Sequence, residues 1–158
     1  MWPHLTVREH LQFYCKLKGV PSEKRQKAVE KSIEGVNLGE KADWYASTLS
    51  GGQRRRLSLA ISMIGAPEVI FLDEPTTGLD PETRRWVWQY IDAMKAGRGI
   101  ILTTHSMEEA DALCSKIAIM SHGRLRCLGT TMHLKEKFGK GIRIILVRIL
   151  PLCSTTSY

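Results

Sequence analysis

The sequence predicts an α/β fold in which a helical subdomain precedes part of a mainly parallel sheet with flanking helices. Val69 to Leu72 and Ile100 to Leu102 are unbroken apolar runs, a pattern typical of parallel strands that are buried on both faces. The intervening residues follow a helical pattern, which gives a strand–helix–strand unit with a right-handed crossover. Up to residue 64, apolar residues recur at helical spacing instead.

The first part of the chain carries helix start and stop signals. Residues 6–9 (Thr-Val-Arg-Glu) fit a capping box, which predicts a helix that ends at Gly19. Residues 21–22 (Pro-Ser) then open a second helix. Its expected apolar face comprises Val29, Ile33 and Val36. The polar connection that follows is expected to be anchored by Trp44 and Tyr45.

Residues 49–53 read Leu-Ser-Gly-Gly-Gln and precede a third helix. Ser50 is a good N-cap, and Gly51 and Gly52 leave the first backbone amides of the helix accessible. A helix N-terminus with a small hydroxyl suits an anion such as phosphate, although an ordinary loop-to-helix start would also use these residues. The residues expected to face the core are Leu57, Ala60, Ile61 and Ile64.

Two adjacent carboxylates follow the first predicted strand. Asp73 and Glu74 lie at its carboxyl end, where open α/β sheets bind their ligands. Asp73 can hold a metal ion, and Glu74 can orient or deprotonate a water molecule. The alternative is a solvated turn. Beyond this turn Asp80 is predicted to cap a helix that has Pro81 at its first position.

The second predicted strand ends at His105. Residues 106–109 (Ser-Met-Glu-Glu) fit a further capping box, so this histidine lies at a strand-to-helix corner. A lone histidine is usually a surface or core residue without a special role. Because the crossover is right-handed, however, we expect His105 at the same sheet edge as Asp73 and Glu74. This placement predicts a functional role.

The remaining chain is predicted to form a β-hairpin, a short helix and a last strand. Residues 117–120 and 124–128 flank a turn at His122 and Gly123, and the helix is expected to end near Phe138. From Gly141 an apolar strand and a Ser/Thr-rich tail follow.

Composition excludes several classes of protein. The 158 residues are 43% hydrophobic and 25% charged, which is ordinary for one globular domain. The four cysteines and five histidines form neither a CxxC nor an HxxxH pair, so no zinc site is predicted. The net charge of +7 could suit nucleic acid or an anionic membrane surface. The basic residues are scattered with little aromatic interleaving, so we expect no nucleic-acid partner.

Four segments together resemble the nucleotide-binding domain of the ATP-binding cassette (ABC) family, a type of P-loop NTPase. They look like its signature motif, Walker B motif, D-loop and H-loop. These segments are residues 49–53, residues 69–74, residues 78–80 and His105. The resemblance covers residues 1–140. The sequences of residues 2–11 and 107–111 are most similar to those of the A subfamily, whose members are large exporters that move lipids.

The resemblance implies an ATPase that uses ATP and Mg²⁺. It implies that Glu74 is the general base, that Asp73 holds Mg²⁺ through water, and that His105 contacts the γ-phosphate and the attacking water. It also implies that Asp80 couples the two sites of a dimer. The γ-phosphate of an ATP held by the partner subunit would be bound by Ser50, Gly51, Gly52 and Gln53.

The same resemblance implies partners, a location and a domain organisation. The expected partners are a second ABC nucleotide-binding domain and the transmembrane domains of a transporter, at the cytoplasmic face of a membrane. Residues 1–64 would form the helical subdomain with the signature helix, and residues 65–140 the sheet part. Residues 141–158 would be a divergent tail.

One motif of the family is missing from the sequence. No G-x-x-x-x-G-K-[ST] phosphate loop precedes the signature motif, so we expect a truncated domain that begins inside the helical subdomain. We therefore expect little ATPase activity and marginal stability or self-association of the isolated chain. The alternatives are a non-catalytic module that completes a partner's ATP site, or a soluble ABC ATPase that acts on nucleic acid or the ribosome. A metal enzyme of another class is a more remote alternative.

Overall fold

The computed structural model describes residues 1–138. In this part the chain divides into two units, one made of residues 1–67 with 78–90 and the other of residues 68–77 with 91 onward. No helix among the described residues is long and apolar enough to cross a lipid bilayer. The strand predicted from Gly141 and the tail that follows it lie outside the described residues.

Helices α1 (Val7–Leu17) and α2 (Ser22–Gly35) open the first unit, as predicted. The Thr6 hydroxyl accepts from the Glu9 backbone N–H, and the Glu9 carboxylate accepts from the Thr6 N–H, so the capping box is confirmed. Helix α1 ends just before Gly19, whose φ of 71° is the left-handed conformation that glycine adopts most readily.

The connection to the third helix contains two short 3-10 turns, Gly39–Lys41 and Ala46–Thr48. The prediction that Trp44 and Tyr45 anchor it is wrong, because these side chains are 48% and 55% exposed. The backbone of the connection runs directly against the start of α1, where it accepts hydrogen bonds from the N–H groups of residues 7 and 8. We infer that this close contact between two backbone segments leaves space for small and aliphatic side chains rather than for large aromatic ones. The buried ones are Leu38, Ala42, Ala46 and Leu49.

Helix α3 (Gly51–Met63) completes the core of the first unit by packing against α1 and α2. The predicted inward residues Leu57, Ala60 and Ile64 are buried, and Ile61 is half-buried against the same cluster. Leu59, which the helical pattern did not assign to the core, is buried as well.

The second unit contains the predicted parallel pair, β1 (Val69–Asp73) and β2 (Gly99–Thr103). The register runs from Val69 opposite Gly99 to Asp73 opposite Thr103. The parallel pairing is confirmed, and the carboxyl ends of both strands therefore meet at one edge of the sheet.

The expectation that β1 is buried on both faces is wrong. Ile70 and Leu72 are buried, whereas Val69 and Phe71 on the opposite face are 50% and 74% exposed. A parallel sheet is buried on both faces only where a layer covers each of them. Among residues 1–138 the parallel sheet has two strands, and the β1 side chains on one of its faces are exposed.

Helix α4 (Pro81–Met94) starts in the first unit, which includes its residues up to Tyr90. The predicted N-cap is confirmed, because Oδ2 of Asp80 accepts from the backbone N–H of Thr83 at 2.8 Å. The residues predicted to face the core are all buried. They are Val87, Ile91 and Met94.

Beyond β2 the second unit continues with α5 (Met107–Leu113), β3 (Ile117–Ser121), β4 (Arg124–Gly129) and α6 (Thr131–Phe138). Strands β3 and β4 pair antiparallel, which confirms the predicted hairpin. Its turn residues, His122 and Gly123, both have positive φ, as tight hairpin turns require.

The capping box predicted at the start of α5 forms only in part. The Ser106 hydroxyl accepts from the Glu109 N–H at 3.4 Å, but the Ser106 N–H donates to the Thr104 hydroxyl at 3.0 Å. The Glu109 carboxyl does not turn back to this end, because it is buried and accepts from the hydroxyl of Thr76. A tertiary contact has replaced the local one.

Candidate functional site

The crossover brings together three of the predicted site residues in the second unit. Asp73 and Glu74 end β1, and His105 follows β2. Nδ1 of His105 lies 3.3 Å from Oε1 of Glu74. Since a carboxylate only accepts hydrogen bonds, this contact places a proton on Nδ1 of the histidine. The prediction that these residues share one sheet edge is confirmed.

Glu74 has an unusual backbone conformation. Its φ is 41°, in the left-handed region that residues other than glycine seldom adopt. The Glu74 carbonyl accepts from the Thr77 N–H at 3.3 Å, which closes a tight turn after the strand. Strained residues of this kind cluster at functional sites, where the surrounding contacts hold them in place.

The Glu74 carboxylate is held from two sides. The Thr77 hydroxyl donates to Oε2 at 2.8 Å, while His105 approaches Oε1. These contacts lower the pKa of Glu74 below its ordinary value, with the Thr77 hydrogen bond as the larger cause and the His105 contact as the next. The carboxylate is 45% exposed, so at neutral pH it is an ionised acceptor that solvent can reach.

Sequence reasoning missed Thr103. This residue lies opposite Asp73 in the register, and its hydroxyl donates to Oδ1 of Asp73. The same hydroxyl accepts from the Glu74 N–H at 3.1 Å. The signal that could have identified it is that Asp73 and Thr103 each follow the last residue of an apolar run, so strands paired with their ends aligned would have placed Thr103 beside the first carboxylate.

The start of α3, in the first unit, is a second candidate site. Ser50 and Gln53 form a capping box at this helix end. The Ser50 hydroxyl accepts a hydrogen bond from the Gln53 N–H at 3.2 Å, and Oε1 of Gln53 accepts one from the Ser50 N–H at 2.9 Å. Ser50 and Gly51 are exposed. The Gly51 backbone has open space where a side chain would be, so a phosphate could approach it closely.

Gly52 lies in close contact with Thr83. A Cβ at this position would lie 3.1 Å from Cγ2 of Thr83, tighter than most real Cβ contacts. The start of α3 therefore lies beside the first turn of α4, where Asp80 caps the Thr83 N–H. This backbone hydrogen bond is the main cause that lowers the pKa of Asp80. The structure thus brings Asp80 into the same unit as residues 50–53.

Arginine side chains flank the start of α3. Nη1 of Arg54 donates to the Leu49 carbonyl at 2.6 Å, and the Arg56 guanidinium lies 4.4 Å from the centre of the Trp86 ring. These contacts hold two cationic groups on the helix that carries Ser50. Positive charge near a helix N-terminus strengthens the attraction for an anion.

Comparison with known proteins decides the family. The family model described as ABC transporter matches residues 1–77. The chain is 53% identical over 141 residues to ABC transporter A family member 2 of Arabidopsis thaliana, which covers 89% of this chain. This chain belongs to the ABC transporter ATPase family. The resemblance inferred from the four motifs is confirmed.

Other relatives of this ABC family member also belong to the A family. The human ATP-binding cassette sub-family A member 2 is 51% identical over 145 residues, or 91% of this chain. The human retinal-specific phospholipid-transporting ATPase ABCA4 is 51% identical over 138 residues, or 87% of this chain. The ABC chain spans a small part of these proteins, 14% of the Arabidopsis relative and 6% of each human one.

A solved structure confirms the predicted fold class of this ABC chain. The structure of an ATP-binding subunit of an ABC transporter matches with a TM-score of 0.76 over 88% of this chain and 58% of the other. The sequence identity is 24%, so this match concerns the fold. The α/β architecture with a helical part and a parallel sheet is that of an ABC ATPase domain.

Proposed function

We propose that this chain supplies catalytic and phosphate-binding residues to an ABC transporter of the A family, in which ATP hydrolysis drives transport of a lipid. The observation that carries the proposal is the contact between Glu74 and His105 beside Asp73 at the carboxyl ends of β1 and β2. Phosphoryl transfer depends almost entirely on positioning and charge stabilisation, and this arrangement offers both.

Glu74 is proposed as the general base. Its carboxylate is ionised, partly exposed and fixed by Thr77 and His105, so it can accept a hydrogen bond from an attacking water and orient it. His105 holds the carboxylate through Nδ1 and is itself 57% exposed, which leaves its outer edge accessible to a phosphate group.

Asp73 is proposed to hold Mg²⁺. Mg²⁺ usually keeps several waters and is held by one or two carboxylates together with phosphate oxygens, and the exposed Asp73 carboxylate fits that donor set. When bound, the ion neutralises charge that develops on the phosphate oxygens. Asp73 would contact the ion through water.

The start of α3 is proposed to bind the γ-phosphate of an ATP held by a second nucleotide-binding domain. The exposed Ser50 hydroxyl, the open backbone at Gly51 and the nearby arginines support this. Gly52 and Gln53 shape the same turn, and Asp80 would couple the two ATP sites from the adjacent start of α4.

The proposal includes a location and partners. The chain would act at the cytoplasmic face of a membrane with the transmembrane domains of a transporter. Residues 1–64 would serve as the helical subdomain, residues 65–140 as the sheet part and residues 141–158 as a divergent tail. Because the 158 residues contain no phosphate-loop motif, we expect no appreciable ATP turnover by this chain alone.

A hybrid transporter tests the proposal. It is the Arabidopsis relative with this chain in place of its matching 141-residue segment. We expect Mg²⁺-dependent phosphate release that falls about 100-fold or more in Glu74→Gln, since general bases contribute on that order. The matched control is Glu82→Gln, which changes an exposed carboxylate on α4. Retention of turnover in Glu74→Gln would refute a catalytic role, and a hybrid that binds ATP without turnover would favour the non-catalytic module.

A further inference from the structure

Thr103 links the two acidic residues of the candidate site. It is the last residue of β2 and pairs with Asp73, the last residue of β1. Its hydroxyl donates to Oδ1 of Asp73 and accepts from the Glu74 N–H at 3.1 Å. The Thr103 carbonyl also accepts from this N–H at 3.1 Å, so the Glu74 amide is shared between two oxygens of one residue.

A hydroxyl is suited to this position because it is a donor and an acceptor at once. As a donor it occupies Oδ1 of Asp73 and fixes the orientation of the carboxylate, so that the other oxygen is presented in a defined direction. As an acceptor it holds the amide of Glu74, whose positive φ costs conformational energy and needs such support.

We propose that Thr103 is a positioning residue that orients Asp73 toward the metal and fixes the Glu74 backbone so that its carboxylate reaches His105. The proposal rests on the proposed function of Asp73 and Glu74. It assigns to β2 a role that its apolar sequence does not reveal, since only the final residue of the strand carries a hydroxyl that contacts both acids.

Thr103 and Thr77 act on different parts of the same turn. Thr77 holds the end of the Glu74 side chain through Oε2, whereas Thr103 holds its backbone and the neighbouring aspartate. Partners of this kind, one step removed from the metal, affect metal affinity or activity by about 10- to 100-fold in other metal sites.

The first test uses the 158-residue chain without nucleotide or metal. Thr103→Val removes the hydroxyl but keeps the β-branched shape that suits a strand, and Thr103→Ser restores the hydroxyl. Three-bond scalar couplings measured by NMR report the χ1 angle of Asp73. We expect one χ1 rotamer in the wild type and in Thr103→Ser, and averaging between rotamers in Thr103→Val. Thr103→Ala serves as a second variant if the valine variant does not fold.

The second test uses the hybrid transporter. We expect kcat to fall about tenfold in Thr103→Val and to recover in Thr103→Ser. The KM for ATP should stay within about twofold, because positioning of the acids acts on the transition state more than on nucleotide binding. The Mg²⁺ concentration for half-maximal activity should rise.

The outcomes separate the two proposals. A hybrid that is insensitive to Glu74→Gln would overturn the proposed function. A hybrid that loses turnover in Glu74→Gln but keeps full turnover in Thr103→Val would overturn the role of Thr103 alone. A single χ1 rotamer of Asp73 in Thr103→Val would also overturn it.

Discussion

The Thr76 hydroxyl donates a hydrogen bond to Oε1 of Glu109 at 2.8 Å, and both side chains are buried. Thr76 lies in the turn that follows the acids, and Glu109 lies on α5, shortly after His105. The contact therefore ties the turn beyond Glu74 to the helix beyond His105, within the same unit.

Replacement of Thr76 by valine should destabilise the second unit. The variant removes a donor to a carboxyl that is only 1% exposed, so the free energy of unfolding should fall by about 1–3 kcal/mol. Urea denaturation of the 158-residue chain measures the change. Thr76→Ser keeps the hydroxyl and is the matched control. Equal stability of Thr76→Val and the wild type would mean that this hydrogen bond makes no net contribution.

Replacement of Thr77 by valine should raise the pKa of Glu74 toward its ordinary value of 4.5, because it removes the largest cause of the lowered pKa. Titration of the side-chain carboxyl carbon by NMR measures this. A lowered folded-state pKa contributes stability that is present above pH 4.5 and is lost as the pH falls through the folded-state value. The loss of folding stability on acidification should therefore be smaller in Thr77→Val than in the wild type. Thr77→Ser should titrate like the wild type, and an unchanged pKa in Thr77→Val would contradict the assignment.

Substitutions of Ser50 should separate helix capping from phosphate binding. Ser50→Ala removes the side-chain cap of α3 and should lower the free energy of unfolding by about 1 kcal/mol. Ser50→Asp retains a good cap and should be about as stable as the wild type, but its negative charge should repel a phosphate. In the hybrid transporter, Ser50→Asp should therefore lower ATP turnover more than Ser50→Ala. Wild-type turnover in Ser50→Asp would contradict the phosphate-binding role.

Truncation of Leu57 should be strongly destabilising. Leu57 is fully buried in the cluster formed by α1, α2 and α3, so Leu57→Ala should lower the free energy of unfolding by about 3 kcal/mol. Leu17→Ala is the control, because Leu17 is 67% exposed and its truncation should change stability by less than about 0.5 kcal/mol. Similar losses in both variants would show that this cluster is not the core of the unit.

The exposed face of β1 should make the chain self-associate. Phe71 is 74% exposed and lies near the exposed Val69 on β1. Strands of parallel sheets are usually covered on both faces, so this apolar surface is unusual. Phe71→Thr should shift sedimentation toward the monomer, whereas Leu125→Thr, which changes another exposed side chain on β4, should have a smaller effect. A monomeric wild type with a sharp, high-temperature cooperative melt would contradict this expectation.

Local signals predicted much of the fold. The caps at Thr6, Ser50 and Asp80 form as expected, because a cap depends on residues no more than three positions apart. The hairpin turn at His122 and Gly123 likewise depends on backbone conformations that neighbouring residues specify. The exception is Ser106, where a buried tertiary contact took Glu109 away from the predicted capping box.

The sequence by itself determined the family, the order of the elements and the meeting of Glu74 and His105 at one sheet edge, since a strand–helix–strand unit pairs its strands parallel and so brings their carboxyl ends together. Only the tertiary structure decided that Phe71 is exposed and that Thr103 contacts Asp73. Asp73 and Thr103 are 30 residues apart in the chain, so their contact depends on strand register. Register and the covering of a sheet face are set by packing between distant segments, which the pattern within one segment does not encode.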